Sequence, residues 1–378
     1  MQAIKWIWHQ DDWPNFAWDS EALASLLRDV TQLQGRLLGK IDNLGPEQSL
    51  ESALDAQLQN IVQSSAIEGE TLNVESVRSS LACRLGVKEA GLSKTTAQTE
   101  GFAELLLDAT QNHSEDLTLD RLYKWHRYLF PENADSSFSL ENINVGELRG
   151  DELMQVVSGP HHKRTVHFEA PPRDGLEAQI DDFLIWLSNS RSDNSLDPLL
   201  RAGLAHFWFV TLHPFDDGNG RLARAVSDYV LAQGEQQSIR YYAMAASIME
   251  SRKSYYEILE STQKGSLDIT EWLNWFLETL KATFDSSLSK IDLVLKKARF
   301  WQAHAQDGLK TEQVKVLNRL LDAGPGGFDG GLSAKKYQSL AKVSKATATR
   351  HITEMLEKGC LARLEGGGRS TKYEVNWV

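Results

Sequence analysis

A chain of 378 residues with 52 Asp and Glu against 40 Lys and Arg carries a net charge of −12 and has room for two or three domains with a real core. It contains no run of about 18 apolar residues, so nothing reads as membrane-spanning. The N-terminus MQAIKWIWHQDDWPNF has no basic segment followed by an apolar one, which predicts a cytoplasmic protein without a signal peptide. The two cysteines, Cys83 and Cys360, lie too far apart for a disulfide framework or a local metal-ligand pair.

The elements run as follows. Residues 1–18 hold Trp6, Trp8, Trp13 and Trp18 and read as an arm whose aromatics plug the body. Leu50, Leu54, Leu58, Ile61 and Val62 recur at helical spacing after Gly45-Pro46 and predict a helix over 46–67, which runs into SSAIEGE at 64–70. A second helix is expected over 74–85, stopped by Gly86. Further helices fit 95–112, 118–129, 175–190, 197–212, 221–233, 247–262 and 268–304. Within 154–171, MQVVSGPHHKRTVHFEAP reads as a β-hairpin around Gly159-Pro160, in an otherwise helical chain.

The last part changes character. A helix at 311–321 precedes a Gly-rich loop. Ser333 caps a short helix to Leu340, a second spans 345–358, and two strands meet at Gly366-Gly367-Gly368. This order resembles a winged helix-turn-helix, with Lys345, Thr347, Thr349 and Arg350 on the second helix and Arg363, Arg369 and Lys372 on the hairpin. Residues 333–378 hold nine Lys and Arg against four Asp and Glu, a charge of +5 that leaves −17 on the remainder. The tail suits either nucleic acid or a docking and dimerisation role. The acidic body argues against nucleic acid as its own partner.

Chemistry concentrates in HPFDDGNGRLAR, residues 213–224. The almost continuously apolar segment LLRAGLAHFWFVTL must be a buried helix, and it delivers His213 at its exit, where Pro214 discourages continuation. An imidazole there can take a proton at neutral pH. Phe215 anchors the loop inward, and Asp216 and Asp217 face out and in, or the reverse. A carboxylate beside a phosphate loop is a natural Mg2+ ligand. Gly218 and Gly220 let the backbone approach a ligand and precede a helix, whose first amides with the glycine loop make an anion site, and Asn219 adds an amide donor. Arg221 and Arg224, three residues apart on one helix face, suit more than one phosphate. His206, seven residues before His213, offers a second imidazole without a local metal-pair motif.

These twelve residues match the signature of Fic-domain proteins, His-x-Phe-x-(Asp/Glu)-Gly-Asn-(Gly/Lys)-Arg-x-x-Arg, at every fixed position. The resemblance covers roughly residues 50–285 and includes the hairpin and SRKSYYEIL at 251–259. The Trp-rich arm and the tail resemble one bacterial branch of the family. It implies a mainly α Fic-type core with a small hairpin flap. The four segments are then the arm and inhibitory helix (1–100), the catalytic core (101–285), a connecting helix (286–305) and a winged helix-turn-helix (306–378).

The activity implied is transfer of AMP from ATP to a Ser, Thr or Tyr hydroxyl of a protein. His213 would be the base and Asp217 the Mg2+ ligand. Gly218, Asn219 and Gly220 would form the anion hole, with Arg221 on the β-phosphate and Arg224 on the γ-phosphate. The hairpin resembles the flap that pins a target segment by strand addition, where Val156, Val157, Ser158 and Gly159 would line the nucleotide. Tyr255, Tyr256 and Gln263 would border adenine, or the tyrosines are core. SSAIEGE matches the family's inhibitory pattern (Ser/Thr)-x-x-x-Glu-(Gly/Asn) at Ser64, Glu68 and Gly69, which implies that Glu68 pairs with Arg224 and gates the site. The resemblance leaves open self-modification, a homodimer, removal of AMP, transfer of another phosphate-containing group, and a nucleotide-sensing regulator acting through the tail.

Overall fold

The computed structural model describes residues 6–87, 93–131, 143–159, 164–364 and 371–377. It divides into two compact units, one up to Ser287 and one from Leu288. In the first unit a short 3-10 turn at Ile7–His9 precedes α1 (Ser20–Ile41), α2 (Pro46–Ile67), α3 (Val74–Leu85), α4 (Ala97–Gln111) and α5 (Leu119–Leu129). The hairpin β1 (Gln155–Ser158) and β2 (Thr165–Glu169) follows, then α6 (Leu176–Asn189), α7 (Pro198–Leu212), α8 (Asn219–Glu235), α9 (Met244–Glu250) and α10 (Arg252–Gln263). The helix α11 (Thr270–Ala303) continues past the boundary between the units.

The sequence reading differs at two places. No helix was expected over 20–41, yet α1 is capped by Asp19, whose side chain accepts the amides of Glu21 and Ala22. Its buried residues are Leu23, Val30, Leu37 and Ile41, flanked by the half-buried Leu26, Leu27, Leu33 and Leu38, an apolar face at helical spacing that the reading passed over. The single helix expected over 247–262 is two, α9 and α10, broken at Ser251, whose amide closes back on Ser247 and Ile248.

Helix α7 is buried at every position from Leu199 to Leu212 and packs along α8. Because α7 is dry on all sides, the loop at its end has a fixed starting point. Helix α2 is tied to the same core by Asn60, whose amide donates to Asp228 Oδ2 on α8 at 2.8 Å and accepts the Ala245 amide of α9 at 3.1 Å. The arm packs on the hairpin. Trp6 is buried edge-on against Phe168 of β2 at 5.5 Å, and Trp8 donates to the Glu169 carbonyl at 2.7 Å. Of the arm's four tryptophans only Trp6 is buried, Trp8, Trp13 and Trp18 being half-buried, while Phe16 packs edge-on against Phe207 and Trp208 of α7.

Asp108 of α4 locks that helix to α5. It accepts Trp125 Nε1 at 2.6 Å and Arg121 Nε at 2.8 Å, both from α5. Burial alone would raise its pKa, but the Trp125 and Arg121 hydrogen bonds and the Arg121 charge pull it down to about 2.

In the second unit α12 (Thr311–Asp322), α13 (Ala334–Ala341) and α14 (Lys345–Glu357) are followed by β3 (Leu361–Arg363) paired antiparallel with β4 (Tyr373–Val375). Their core holds Phe300, Leu317, Tyr337, Ile352, Met355 and Val375. Ser333 caps α13 through the Lys336 amide, as expected. Lys345, Thr349, Arg350, Arg363 and Lys372 are exposed and Thr347 partly so, while Arg369 and the Gly366-Gly367-Gly368 junction lie outside the described residues. The buried Cys360 is not isolated: its Sγ lies 3.5 Å from His304 Nδ1, which is hydrogen-bonded to Asp307 at 2.7 Å. Among the described residues no helix is long and apolar enough to cross a membrane.

Replacing Asp108 by Ala leaves the Arg121 guanidinium buried without its carboxylate, and should cost about 3 kcal/mol of stability in denaturant titrations. Because the folded pKa is depressed, this contribution is present above the ordinary value of 3.8 and lost as pH falls toward 2.

Candidate active site

His213 is the C-cap of α7 and sits in the left-handed region, φ 49° and ψ 56°. Pro214 makes ordinary α geometry unfavourable at this position, so the chain turns sharply and carries the imidazole out of the helix. Its Nδ1 lies 3.1 Å from the Val210 carbonyl, which can only accept. The proton is therefore on Nδ1 and Nε2 keeps its lone pair. Burial lowers its pKa and outweighs the opposing Val210 hydrogen bond, so the ring is neutral at pH 7 and able to take a proton.

Two residues that sequence reasoning passed over hold this turn. Arg149, 2% exposed, donates through Nε to the His213 carbonyl at 2.9 Å, and its backbone amide donates to the Pro214 carbonyl. His126 stacks on Phe215 at 4.3 Å. Its Nδ1 accepts the Gly146 amide, so Nε2 donates to the Asp217 carbonyl at 3.2 Å. Neither belongs to a local motif. A buried Arg in LRGDE and a His within an otherwise apolar helix face were the only signals.

The loop itself closes through Asn219. Its side chain accepts the Phe215 amide at 3.0 Å and donates to the Phe215 carbonyl at 2.7 Å. The amide expected to face an anion is thus spent on the loop, and what Asn219 offers a ligand is its backbone at the start of α8. Gly218 is the N-cap at φ 79°, a conformation that favours glycine. Asp216 accepts the backbone and side-chain amides of Asn144, both at 2.9 Å. Asp217 has a half-exposed side chain in the cavity wall, with Oδ1 on the Gly218 amide and Oδ2 3.7 Å from Arg221 Nη2. An outward-facing carboxylate beside the anion loop fits a Mg2+ ligand.

On α8, Arg221 and Arg224 are 6% and 5% exposed. Arg224 donates to Glu68 Oε1 at 2.7 Å, to the Ser64 carbonyl at 2.9 Å and, through Nε, to Ser64 Oγ at 2.9 Å. Tyr256 donates to Glu68 Oε2 at 3.2 Å. Burial raises the Glu68 pKa, but the Arg224 charge and hydrogen bond, with Arg221 and Tyr256, leave it below the ordinary value. Arg221 Nη1 donates to Glu70 Oε2 at 2.7 Å, a contact the sequence reading did not single out. Among the described residues Arg221 Nε and Arg224 Nη1 are buried without a hydrogen-bond partner, two donors that suit anion oxygens.

These elements surround a cavity of about 820 Å³. Of the predicted site residues it gathers Glu68, Val156, Val157, Ser158, His213, Asp217, Gly218, Asn219, Gly220, Tyr255, Tyr256 and Gln263 along its wall, while Ser64, Gly69, Gly159, Arg221 and Arg224 do not line it. Tyr255 is 1% exposed, and its hydroxyl meets His206 Nε2 at 2.9 Å. His206 Nδ1 meets Ser227, so His206 is a hydrogen-bonded core group that burial holds neutral at a pKa of about 3, with no ligand role beside His213.

Residues 116–231 match the Fic/DOC family, and residues 6–87 match a domain of unknown function, DUF4172. Residues 116–231 thus carry the Fic/DOC match, within a chain similar to Fic proteins over most of its length. It is 27% identical over 286 residues to "Protein adenylyltransferase Fic" of Nematostella vectensis, covering 72% of this chain and 61% of that protein. It is 25% identical over 315 residues to the protein of the same name in Drosophila melanogaster, covering 79% and 58%. It thus spans less than two thirds of these relatives. Among solved structures, a Fic family protein from Desulfovibrio desulfuricans G20 aligns with a TM-score of 0.54 at 19% identity, over 95% of this chain and 97% of that one. A Fic domain containing signaling protein from Bacteroides thetaiotaomicron VPI-5482 aligns at 0.50 and 20% identity, over 72% and 97%. The mainly helical fold is that of these neighbours.

A histidine-detected NMR titration should place the His213 midpoint below 6.5 with the proton on Nδ1 in the neutral form. Because the Glu68 charge raises this pKa, Glu68→Gln should move the midpoint further down. A midpoint at or above 6.5 would contradict the site's electrostatics.

Proposed function

We propose that this chain is a self-inhibited protein adenylyltransferase that transfers AMP from ATP to a Ser, Thr or Tyr hydroxyl of a target protein. The observation that carries this reading is the Glu68 carboxylate on Arg224, beside the anion loop and within the cavity that holds His213. A Cβ on Gly220 would clash with Glu68 Oε1, so the carboxylate stands close against the start of α8, beside Arg224. The names of the curated relatives support the same reaction.

In this reading His213 Nε2 takes the proton of the target hydroxyl. The hydroxyl oxygen attacks the α-phosphorus, the bond to the β-phosphate breaks, and pyrophosphate leaves. The amides at the start of α8 and Arg221 hold the α- and β-phosphates, and Arg224 takes the γ-phosphate once Glu68 has withdrawn. Asp217 would hold Mg2+, which neutralises phosphate charge when bound with the nucleotide. Tyr255, Tyr256 and Gln263 line the adenine side. Among the described residues β1 pairs only with β2, and its outer edge would accept the target's backbone by strand addition. The second unit reads as a winged helix-turn-helix, and the exposed Lys345, Thr349 and Arg350 on α14 support a docking role for that helix.

A charge-assisted hydrogen bond of the Glu68–Arg224 kind is worth about 1.5–3 kcal/mol, so Glu68→Gly should raise AMP transfer from labelled ATP by about 10- to 100-fold. Adding His213→Ala to that variant should abolish it. Unchanged labelling in Glu68→Gly would overturn the gating, and full labelling after His213→Ala would overturn the assignment of the base.

A further inference from the structure

Two carboxylates of the same segment reach the two arginines of α8, Glu68 to Arg224 and Glu70 to Arg221. Glu68 lines the cavity. Glu70, two residues on, does not line it, and its side chain, 14% exposed, pairs with Arg221. Glu70 is itself held: Gln98 of α4 donates to its Oε1 at 2.6 Å while Oε2 takes Arg221 Nη1 at 2.7 Å. The Arg221 guanidinium lies 5.0 Å from the Phe130 ring and 5.9 Å from that of Phe102. With Nη1 held by Glu70, the edge left over carries Nη2, 3.7 Å from Asp217 Oδ2, and the unpartnered Nε.

We propose that Glu70 is the positioning residue for Arg221. It fixes which edge of the guanidinium faces the phosphate loop, and so acts in the opposite sense to Glu68. Glu68 occupies a ligand's place and must leave. Glu70 stands outside the cavity, competes with nothing there, and must stay. The pair also separates release from detachment. When Glu68 swings off Arg224, the segment remains moored to α8 through Glu70, and the end of α2 keeps its contacts with α10, where Arg252 Nε donates to the Ile67 carbonyl at 2.6 Å. An arginine free to choose its rotamer would lose part of its ordering advantage on binding phosphate, because a preorganised fork forfeits less entropy per hydrogen bond.

This assignment rests on the reading of Arg221 as the β-phosphate ligand, and it can be tested by binding alone. In the full-length chain carrying Glu68→Gly, calorimetric titrations with Mg-ATP, Mg-ADP and AMP would be compared with and without Glu70→Ala and Glu70→Gln. Glu70→Ala should weaken ATP and ADP by roughly tenfold, the scale of one charge-assisted contact, and leave AMP unchanged. Glu70→Gln, which keeps an acceptor for Arg221, should recover part of that loss. Thermal melting of each variant checks that it folds. If Glu70→Ala binds ATP as tightly as its parent or more tightly, Glu70 is neutral or a second inhibitor, and the proposal is wrong. Equal losses for AMP, ADP and ATP would also overturn it, since they would report general collapse of the site. If the parent binds ATP but transfers no AMP, the function fails while the Glu70 assignment still stands or falls on the three affinities.

Discussion

Two guanidinium groups one helical turn apart, both almost fully buried, are the constraint on which the rest of this site depends. Neither charge can be left dry and uncompensated, because burying an unpaired ion costs several kcal/mol. The sequence answers with two carboxylates from one short segment, more than 150 residues upstream. The anion loop, the cavity and the reach of α2 across α8 all follow from where those four side chains meet. A nucleoside triphosphate is a ligand that could replace one of the carboxylates while keeping both arginines neutralised.

The scaffold serves that meeting in layers. Helix α7 is dry on all sides and fixes the start of the loop. Arg149 and His126 hold the loop's carbonyls from outside the cavity, and Asn219 closes it from within. Helix α2 is pinned to α8 and α9 through Asn60, so its C-terminal end arrives at Arg224 in a set register. The arm reaches the flap through Trp6 and Trp8, which ties the N-terminus to the hairpin that borders the cavity.

Much of this was legible because the chemistry is local. The loop from His213 to Arg224 is contiguous, so residue types and spacing were enough to infer a base beside an anion nest. The Glu68–Arg224 pair was reachable only through the family resemblance, since nothing in the chain between them marks a contact. Glu70, Arg149 and His126 were missed for a related reason. Each acts through a partner distant in sequence, and each sits in a stretch whose local composition is unremarkable for a helix end or a loop. The Asn219 side chain was misjudged because a free amide donor and one spent on its own loop read the same from sequence. Helix α1 was legible as well, since Leu23, Leu26, Leu27, Val30, Leu37, Leu38 and Ile41 fall on one helical face.

The central claim is that a carboxylate and a γ-phosphate compete for Arg224. The most direct measurement is the affinity of the unmodified chain and of Glu68→Gly for Mg-ATP and for Mg-ADP, which lacks the γ-phosphate. Competition predicts that Glu68→Gly binds ATP more tightly while its ADP affinity stays the same. Equal tightening for both nucleotides, or no change for ATP, would contradict it.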